Sequence, residues 1–81
     1  MYYVYVLKSR RDNRFCIGYT ADLERRITEH RMGLSRSTAH RRPLDLVYYE
    51  ACRTSRDAIH REKYLKSAYG HRYLKNRIRN N

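Results

Sequence analysis

Apolar and polar positions in the first twenty residues predict two short strands. Residues 2–7 are rich in aromatic and β-branched side chains, and residues 15–19 form a second run of the same kind. The polar stretch between them contains Asp12 and Asn13, which are residue types that favour a tight turn. The chain is therefore expected to begin with an antiparallel hairpin.

A helix is expected after the hairpin. Leu23 and Ile27 stand four residues apart, so they share one face of such a helix. Thr20 is the expected N-cap, because its hydroxyl can accept a hydrogen bond from a first-turn amide. Gly33 is the expected stop.

Two basic side chains fall on the apolar face of this helix. Arg26 and His30 stand three and seven residues after Leu23, which places them beside the apolar stripe. Burying a charge without a partner is strongly unfavourable, so an anion is expected to face them. The neighbouring Arg25 points elsewhere and is expected to be solvated.

The next part of the chain predicts a loop, a third strand and a second helix. Residues 34–43 are rich in Ser, Thr and Arg and lack periodicity, which indicates a mobile basic loop suited to lie along a phosphate backbone. Residues 44–51 alternate well enough to predict a strand. Thr54 or Ser55 is expected to cap the second helix.

The second helix is expected to run to about Ser67, with Gly70 separating it from a final basic helix at about residues 71–79. The predicted order is strand, strand, helix, strand, helix, helix. Such a short chain favours an α+β fold, in which helices pack on a three-stranded antiparallel sheet in a single domain of residues 1–81.

One carboxylate lies on the apolar face of the second helix. Ala58, Ile59 and Leu65 form that face, and Glu62 stands four residues after Ala58. Two interpretations stay open for Glu62. It forms a salt bridge with Arg26 or another arginine, or it holds a metal ion such as Mg²⁺.

The charge balance indicates a polyanionic partner. The chain has 19 Lys+Arg against 8 Asp+Glu, a formal net charge of +11, and the cations are spread along its whole length. Nucleic acid is the first candidate partner and an acidic membrane surface the second. A basic RNA-binding or ribosome accessory protein is a further interpretation, and it rests on charge alone.

Cysteine usage and the N-terminal residues favour a cytoplasmic protein. Cys16 and Cys52 are isolated, with neither the paired spacing of zinc ligands nor the number needed for a disulfide scaffold. The apolar residues 1–7 are too few to span a bilayer and lack the layout of a signal peptide. No membrane-spanning or exported segment is therefore expected, and the expected partner is nucleic acid, with no membrane.

These side chains suit phosphodiester cleavage. The reaction needs an activated water and stabilisation of charge that develops on the phosphorus oxygens. Arg26 offers a forked cation for the phosphate, and Glu62 offers a metal ligand. Tyr3, Tyr5 or His30 can move the proton, although a tyrosine needs a nearby cation or metal to lower its pKa.

The same positions carry a family resemblance. Tyr3-Val4-Tyr5, Cys16-Ile17-Gly18, the run from Leu23 to Arg26 with His30, and the later Glu62 follow one another in an order and spacing that resemble the GIY-YIG nuclease domain. The chain is most similar to the small stand-alone bacterial members, which are related to the nuclease module of a bacterial excinuclease and to structure-specific nucleases. The resemblance covers nearly the whole chain.

The resemblance implies a role for each matching residue. Tyr5 matches the first-motif tyrosine, a general base or its activator, and Arg26 matches the catalytic arginine. His30 matches a helical partner of that arginine, and Glu62 matches the glutamate that binds Mg²⁺ or Mn²⁺. Cys16 departs from the family pattern, because the second motif has a tyrosine at that position.

The implied function is metal-dependent endonucleolytic hydrolysis of DNA, directed by DNA structure or by a partner protein, with DNA repair as its setting. The alternative is a catalytically weakened nucleic-acid-binding module of the same fold. Asn76 loosely matches a late asparagine of the family. The residues expected to bind nucleic acid are Lys8, Arg36, Arg41, Arg42 and Asn76.

Overall fold

The computed structural model describes residues 1–78 and has the predicted α+β fold. Three strands, β1 to β3, form one antiparallel sheet in the order β2-β1-β3, and three helices, α1 to α3, pack against it. The elements are β1 (Tyr2–Ser9), β2 (Phe15–Thr20), α1 (Leu23–Arg31), β3 (Leu44–Cys52), α2 (Ser55–Lys66) and α3 (Ala68–Arg77).

The two faces of the sheet carry separate apolar clusters, because successive side chains of a strand point to opposite faces. Tyr5 and Leu7 pack with Ile27 of α1 on one face. Val4 and Val6 pack on the other face against α2 and α3. The central strand β1 is thus buried on both sides, and its odd-numbered residues face α1.

The N-cap of α1 differs from the prediction. Asp22, rather than Thr20, accepts the hydrogen bond from the backbone N–H of Arg25 at 3.1 Å. Thr20 still pairs with Tyr3 as the last residue of β2, so the helix begins only after the strand has ended. Gly33 follows the helix with φ +78°, as expected of a residue that ends it.

The loop at residues 34–43 is more ordered than predicted. It contains a 3₁₀ turn at Ala39–Arg41, and the side chains of Ser35 and Thr38 are buried. Ser35 and Thr38 form hydrogen bonds to side chains of α1, which anchors the loop beside that helix.

The boundary between α2 and α3 also differs from the prediction. Ser67 ends α2 and at the same time caps α3, its hydroxyl accepting from the N–H of Gly70 at 3.2 Å. Gly70 lies in the first turn of α3, where an added Cβ would overlap the Tyr64 carbonyl and the Leu65 backbone. Thr54 caps α2, as predicted. The predicted end of the last helix at residue 79 lies outside the described residues.

Candidate active site

The site is organised around the Tyr5 phenol, which β1 presents toward α1. Tyr5 pairs with Gly18 of the edge strand β2, and its ring lies across that glycine. A Cβ at position 18 would overlap the Tyr5 hydroxyl and come within 2.7 Å of Cζ. Gly18 therefore allows the phenol to cross the edge strand.

His30 links the Tyr5 phenol to the loop that follows α1. Its Nε2 lies 3.0 Å from the Tyr5 hydroxyl, and its Nδ1 lies 2.7 Å from Thr38 Oγ1. His30 is 2% exposed and Thr38 is fully buried. The three side chains form one continuous hydrogen-bonded chain inside the protein.

Arg26 meets this chain from the surface. Its Nε donates to the Tyr5 hydroxyl at 3.4 Å, one Nη donates to Glu29 at 3.0 Å, and the other donates to Ser35 at 3.4 Å. The side chain is 37% exposed. Glu29 is thus one anion that faces Arg26, while Arg25 is exposed, as predicted.

Burial sets the protonation of this chain. It raises the pKa of Tyr5, and the Arg26 guanidinium offsets that rise only in part. It lowers the pKa of His30, with a further contribution from Arg26. At neutral pH the phenol is therefore protonated and the imidazole is neutral.

One His30 tautomer satisfies all of these groups. With the proton on Nδ1, the imidazole donates to Thr38 and accepts the phenol O–H of Tyr5 at Nε2. We assign this tautomer because it gives the buried phenol hydrogen an acceptor while Arg26 donates to a lone pair of the same oxygen.

Glu62 lies on α2, which packs on the other face of the sheet. Its side chain is 17% exposed and forms an ion pair with Lys66 at 3.3 Å. The expected salt-bridge partner was an arginine, but the i,i+4 spacing places Lys66 one turn away on the same helix. Burial is the main cause of the raised pKa of Tyr5, and the Glu62 carboxylate adds a small contribution.

The donor set suits a hard cation held by few protein ligands. Residues 1–78 contain no group of three or more His, Cys, Asp or Glu side chains arranged to hold a metal ion. Glu62 is therefore not part of such a group. Mg²⁺ fits such a position, because it retains several waters and binds through one or two carboxylates together with substrate phosphates.

Cys16 lies beside the Tyr5 cluster on the same face of the sheet. It pairs with Leu7, is partly buried and has a free thiol. Burial raises the pKa of this thiol. It behaves as a small apolar side chain and lacks the length of the phenol that it replaces.

The residues predicted to bind nucleic acid lie in different environments. Arg41 is largely buried and paired with Asp12 at 3.2 Å, which ties the loop to the hairpin turn. Arg42 is exposed and donates to the Ala39 carbonyl at 2.9 Å. Lys8 is partly buried on β1, whereas Arg36 in the loop and Asn76 on α3 are exposed.

Three side chains of the site were missed in the sequence. Glu29 stands three residues after Arg26, a spacing that indicates a helical ion pair. Ser35 and Thr38 lie in an aperiodic segment, where neither spacing nor composition indicates burial. Only the folded chain brings the loop against Arg26 and His30.

None of the helices in residues 1–78 combines the length and the apolar composition needed to cross a bilayer.

Comparison with known proteins assigns this arrangement to a family. The model of the GIY-YIG catalytic domain matches residues 1–78. A UPF0213 protein of Clostridium perfringens is 42% identical over 67 residues, covering 82% of this chain and 71% of that protein. A UPF0213 protein of Staphylococcus saprophyticus is 36% identical over 75 residues, covering 91% of this chain and 90% of that protein.

A solved structure agrees with these sequence matches. The solution NMR structure of a UPF0213 protein from Bacillus halodurans superposes with a TM-score of 0.58 at 32% identity, covering 94% of this chain and 84% of that one. GIY-YIG domains are nuclease domains that act on nucleic acid and generally depend on a divalent metal. The chain belongs to the GIY-YIG family and resembles its small stand-alone UPF0213 members.

Proposed function

We propose that this protein is a Mg²⁺- or Mn²⁺-dependent endonuclease that hydrolyses phosphodiester bonds in DNA. The observation that carries the proposal is the hydrogen-bonded chain from Arg26 through Tyr5 and His30 to Thr38. It joins a partly exposed guanidinium, suited to a phosphate, to a buried path for a proton.

Tyr5 and His30 act together as the base. The Tyr5 oxygen takes a proton from the attacking water while its own proton passes to Nε2 of His30, so no free phenolate forms in the buried site. The lowered pKa of His30 keeps the imidazole neutral and ready to accept that proton. Thr38 is a positioning residue that holds the tautomer.

Arg26 binds the scissile phosphate and stabilises the charge that develops on its oxygens. Glu29 and Ser35 fix the guanidinium, so little reorganisation is needed when the phosphate arrives. A preorganised donor of this kind contributes about 3 kcal/mol to transition-state stabilisation.

Glu62 is the proposed metal ligand. When bound there, Mg²⁺ supplies Lewis-acid stabilisation of the phosphate oxygens and of the leaving group. Lys66 holds the Glu62 carboxylate in place before the metal binds.

DNA is the proposed substrate, and the cytoplasm and DNA repair are the proposed setting. The proposed specificity comes from the shape of the DNA or from a partner protein. The net charge of +11 supports a polyanionic substrate.

The test compares cleavage of branched, nicked and linear DNA, and of RNA, with and without Mg²⁺ or Mn²⁺. Arg26→Ala and Glu62→Gln should each lower cleavage by about 100-fold or more while DNA binding persists. Arg25→Ala is the matched control, because Arg25 is also bonded to Glu29 but points away from Tyr5. Retained cleavage in both site variants would refute the assignment.

A catalytically weakened nucleic-acid-binding module is the second candidate. Cys16 favours it, because a partly buried thiol stands where the family has a tyrosine. If the missing phenol limits the rate, Cys16→Tyr should cleave faster than the wild type. If both proteins are inert on every substrate with either metal, the binding module is the correct function.

A further inference from the structure

An open groove between the end of α2 and α3 is lined by several cationic side chains, none of which belongs to the Tyr5 cluster. Its volume is about 550 Å³. Within residues 1–78, no carboxylate lines it. The lining side chains that matter here are Lys66, His71, Arg72, Lys75 and Asn76.

The cations of this groove lie in a part of the chain without acids. No aspartate or glutamate follows Glu62 in the sequence, whereas six lysines and arginines do. Elsewhere, arginines are paired with acids, as in the contacts of Arg10 with Asp45 and of Arg41 with Asp12. Lys66 is paired with Glu62, whereas no ion pair within residues 1–78 involves Arg72 or Lys75, so the groove keeps a net positive potential.

The groove adjoins the candidate active site. Lys66 lines it and forms the ion pair with Glu62. On its other side, the His71 ring packs on Phe15, with 6.0 Å between the ring centroids. Phe15 begins the edge strand β2 and precedes Cys16, so the groove reaches the strand that the Tyr5 phenol crosses.

We infer that this groove binds the phosphodiester backbone of the nucleic acid beside the scissile phosphate. The inference rests on the proposed function for the identity of the bound strand as substrate. Arg72 and Lys75 neutralise phosphates, and Asn76 adds neutral hydrogen-bonding groups, while Lys66 stays paired with Glu62. Continuity with Glu62 favours a nucleic acid over an acidic protein, because the occupant of the groove extends into a nuclease site.

The test removes two groove cations from the full chain and, in a second variant, two exposed cations outside the groove. Arg72→Ala with Lys75→Ala is the groove variant, and Arg53→Ala with Arg56→Ala is the control with the same change in net charge. Arg56 lies at the far end of α2, about 15 Å along the helix from Lys66. All four residues are exposed, and a thermal melt verifies folding.

Binding of a labelled DNA duplex is measured with a metal chelator present, so that no cleavage occurs. The groove variant should lower the slope of log affinity against log salt concentration by about two and weaken binding at least about ten-fold at physiological salt. The control pair should leave that slope nearly unchanged. Equal losses in both variants, or no loss in the groove variant, would overturn the inference.

Cleavage is assayed separately with Mg²⁺, which distinguishes the two proposals. If the groove variant lowers the salt slope but the wild type cleaves no substrate, the groove proposal stands and the nuclease proposal fails. If the wild type cleaves DNA but the groove variant leaves the salt slope unchanged, the nuclease proposal stands and the groove proposal fails. An unchanged slope together with groove-dependent binding of an acidic protein also overturns the inference.

Discussion

His30 is the proton acceptor in the proposed mechanism, and Thr38 helps determine which of its nitrogens carries the proton. Thr38→Val keeps the volume of the side chain but removes the hydroxyl that lies 2.7 Å from Nδ1 of His30. Nδ1 of the buried imidazole then has no hydrogen-bond partner and only Tyr5 still orients the ring, so kcat should fall about 10- to 100-fold with little change in KM. Steady-state cleavage kinetics measure this.

Thr38→Ser is the control for that prediction. It restores the hydroxyl without the methyl group, so it should recover most of the rate. A role in packing alone predicts the reverse, since valine resembles threonine in shape more closely than serine does. Full activity in the valine variant would show that His30 acts without Thr38.

His30 also makes the fold sensitive to acid. Its pKa is lowered in the folded state, so below about pH 6.5 the unfolded chain binds a proton that the folded chain resists. Stability is therefore lost as the pH falls from about 6.5, by up to about 1.4 kcal/mol per pH unit. Urea unfolding between pH 7 and 5 should show this loss in the wild type and a smaller one in His30→Gln.

Sequence patterns located the elements because local signals determine where strands and helices form. The hairpin, β3 and the Thr54 cap needed only nearby residues. The Thr20 cap was wrong because pairing with Tyr3 extends β2 through that residue. Ser35 and Thr38 could not be predicted as site residues, because their burial depends on a loop packing against α1.

Gly70 is predicted to separate the last two helices, but it lies in the first turn of α3 and packs against the backbone of α2. Gly70→Ala sets two effects against each other. Helix propensity favours alanine by about 1 kcal/mol, whereas overpacking against backbone atoms, which cannot move aside as a side chain can, costs about 1–3 kcal/mol.

Overpacking should prevail at position 70, and thermal unfolding should show a lower Tm. Each kcal/mol corresponds to roughly 4–8 °C for a domain of this size. Arg77→Ala, at an exposed position of the same helix, should change Tm little. A higher Tm in Gly70→Ala would mean that α2 and α3 separate without cost.

The two faces of the sheet carry different parts of the proposed site. One face holds α1 with Tyr5, Arg26 and His30, and the other holds α2 and α3 with Glu62 and the groove. Because Gly18 has no side chain, the Tyr5 ring lies over the edge strand β2 on the face that holds α1. The proposed substrate is thus held by both layers of the fold.

Because the net charge is high, added salt should stabilise the fold and weaken the binding of DNA. A charge of +11 within a Cα radius of gyration of 12.1 Å repels itself, and added salt screens that repulsion. The Tm should therefore rise between low and physiological NaCl. DNA affinity should fall about 1,000-fold or more over the same range if about six phosphates are contacted. Exposed ion pairs such as Arg10 with Asp45 also weaken with salt, but pairs of this kind contribute little to stability. Melting and DNA titrations at the same salt concentrations test both signs, and a Tm that falls with salt would mean that ion pairs, rather than net repulsion, dominate the electrostatics of the fold.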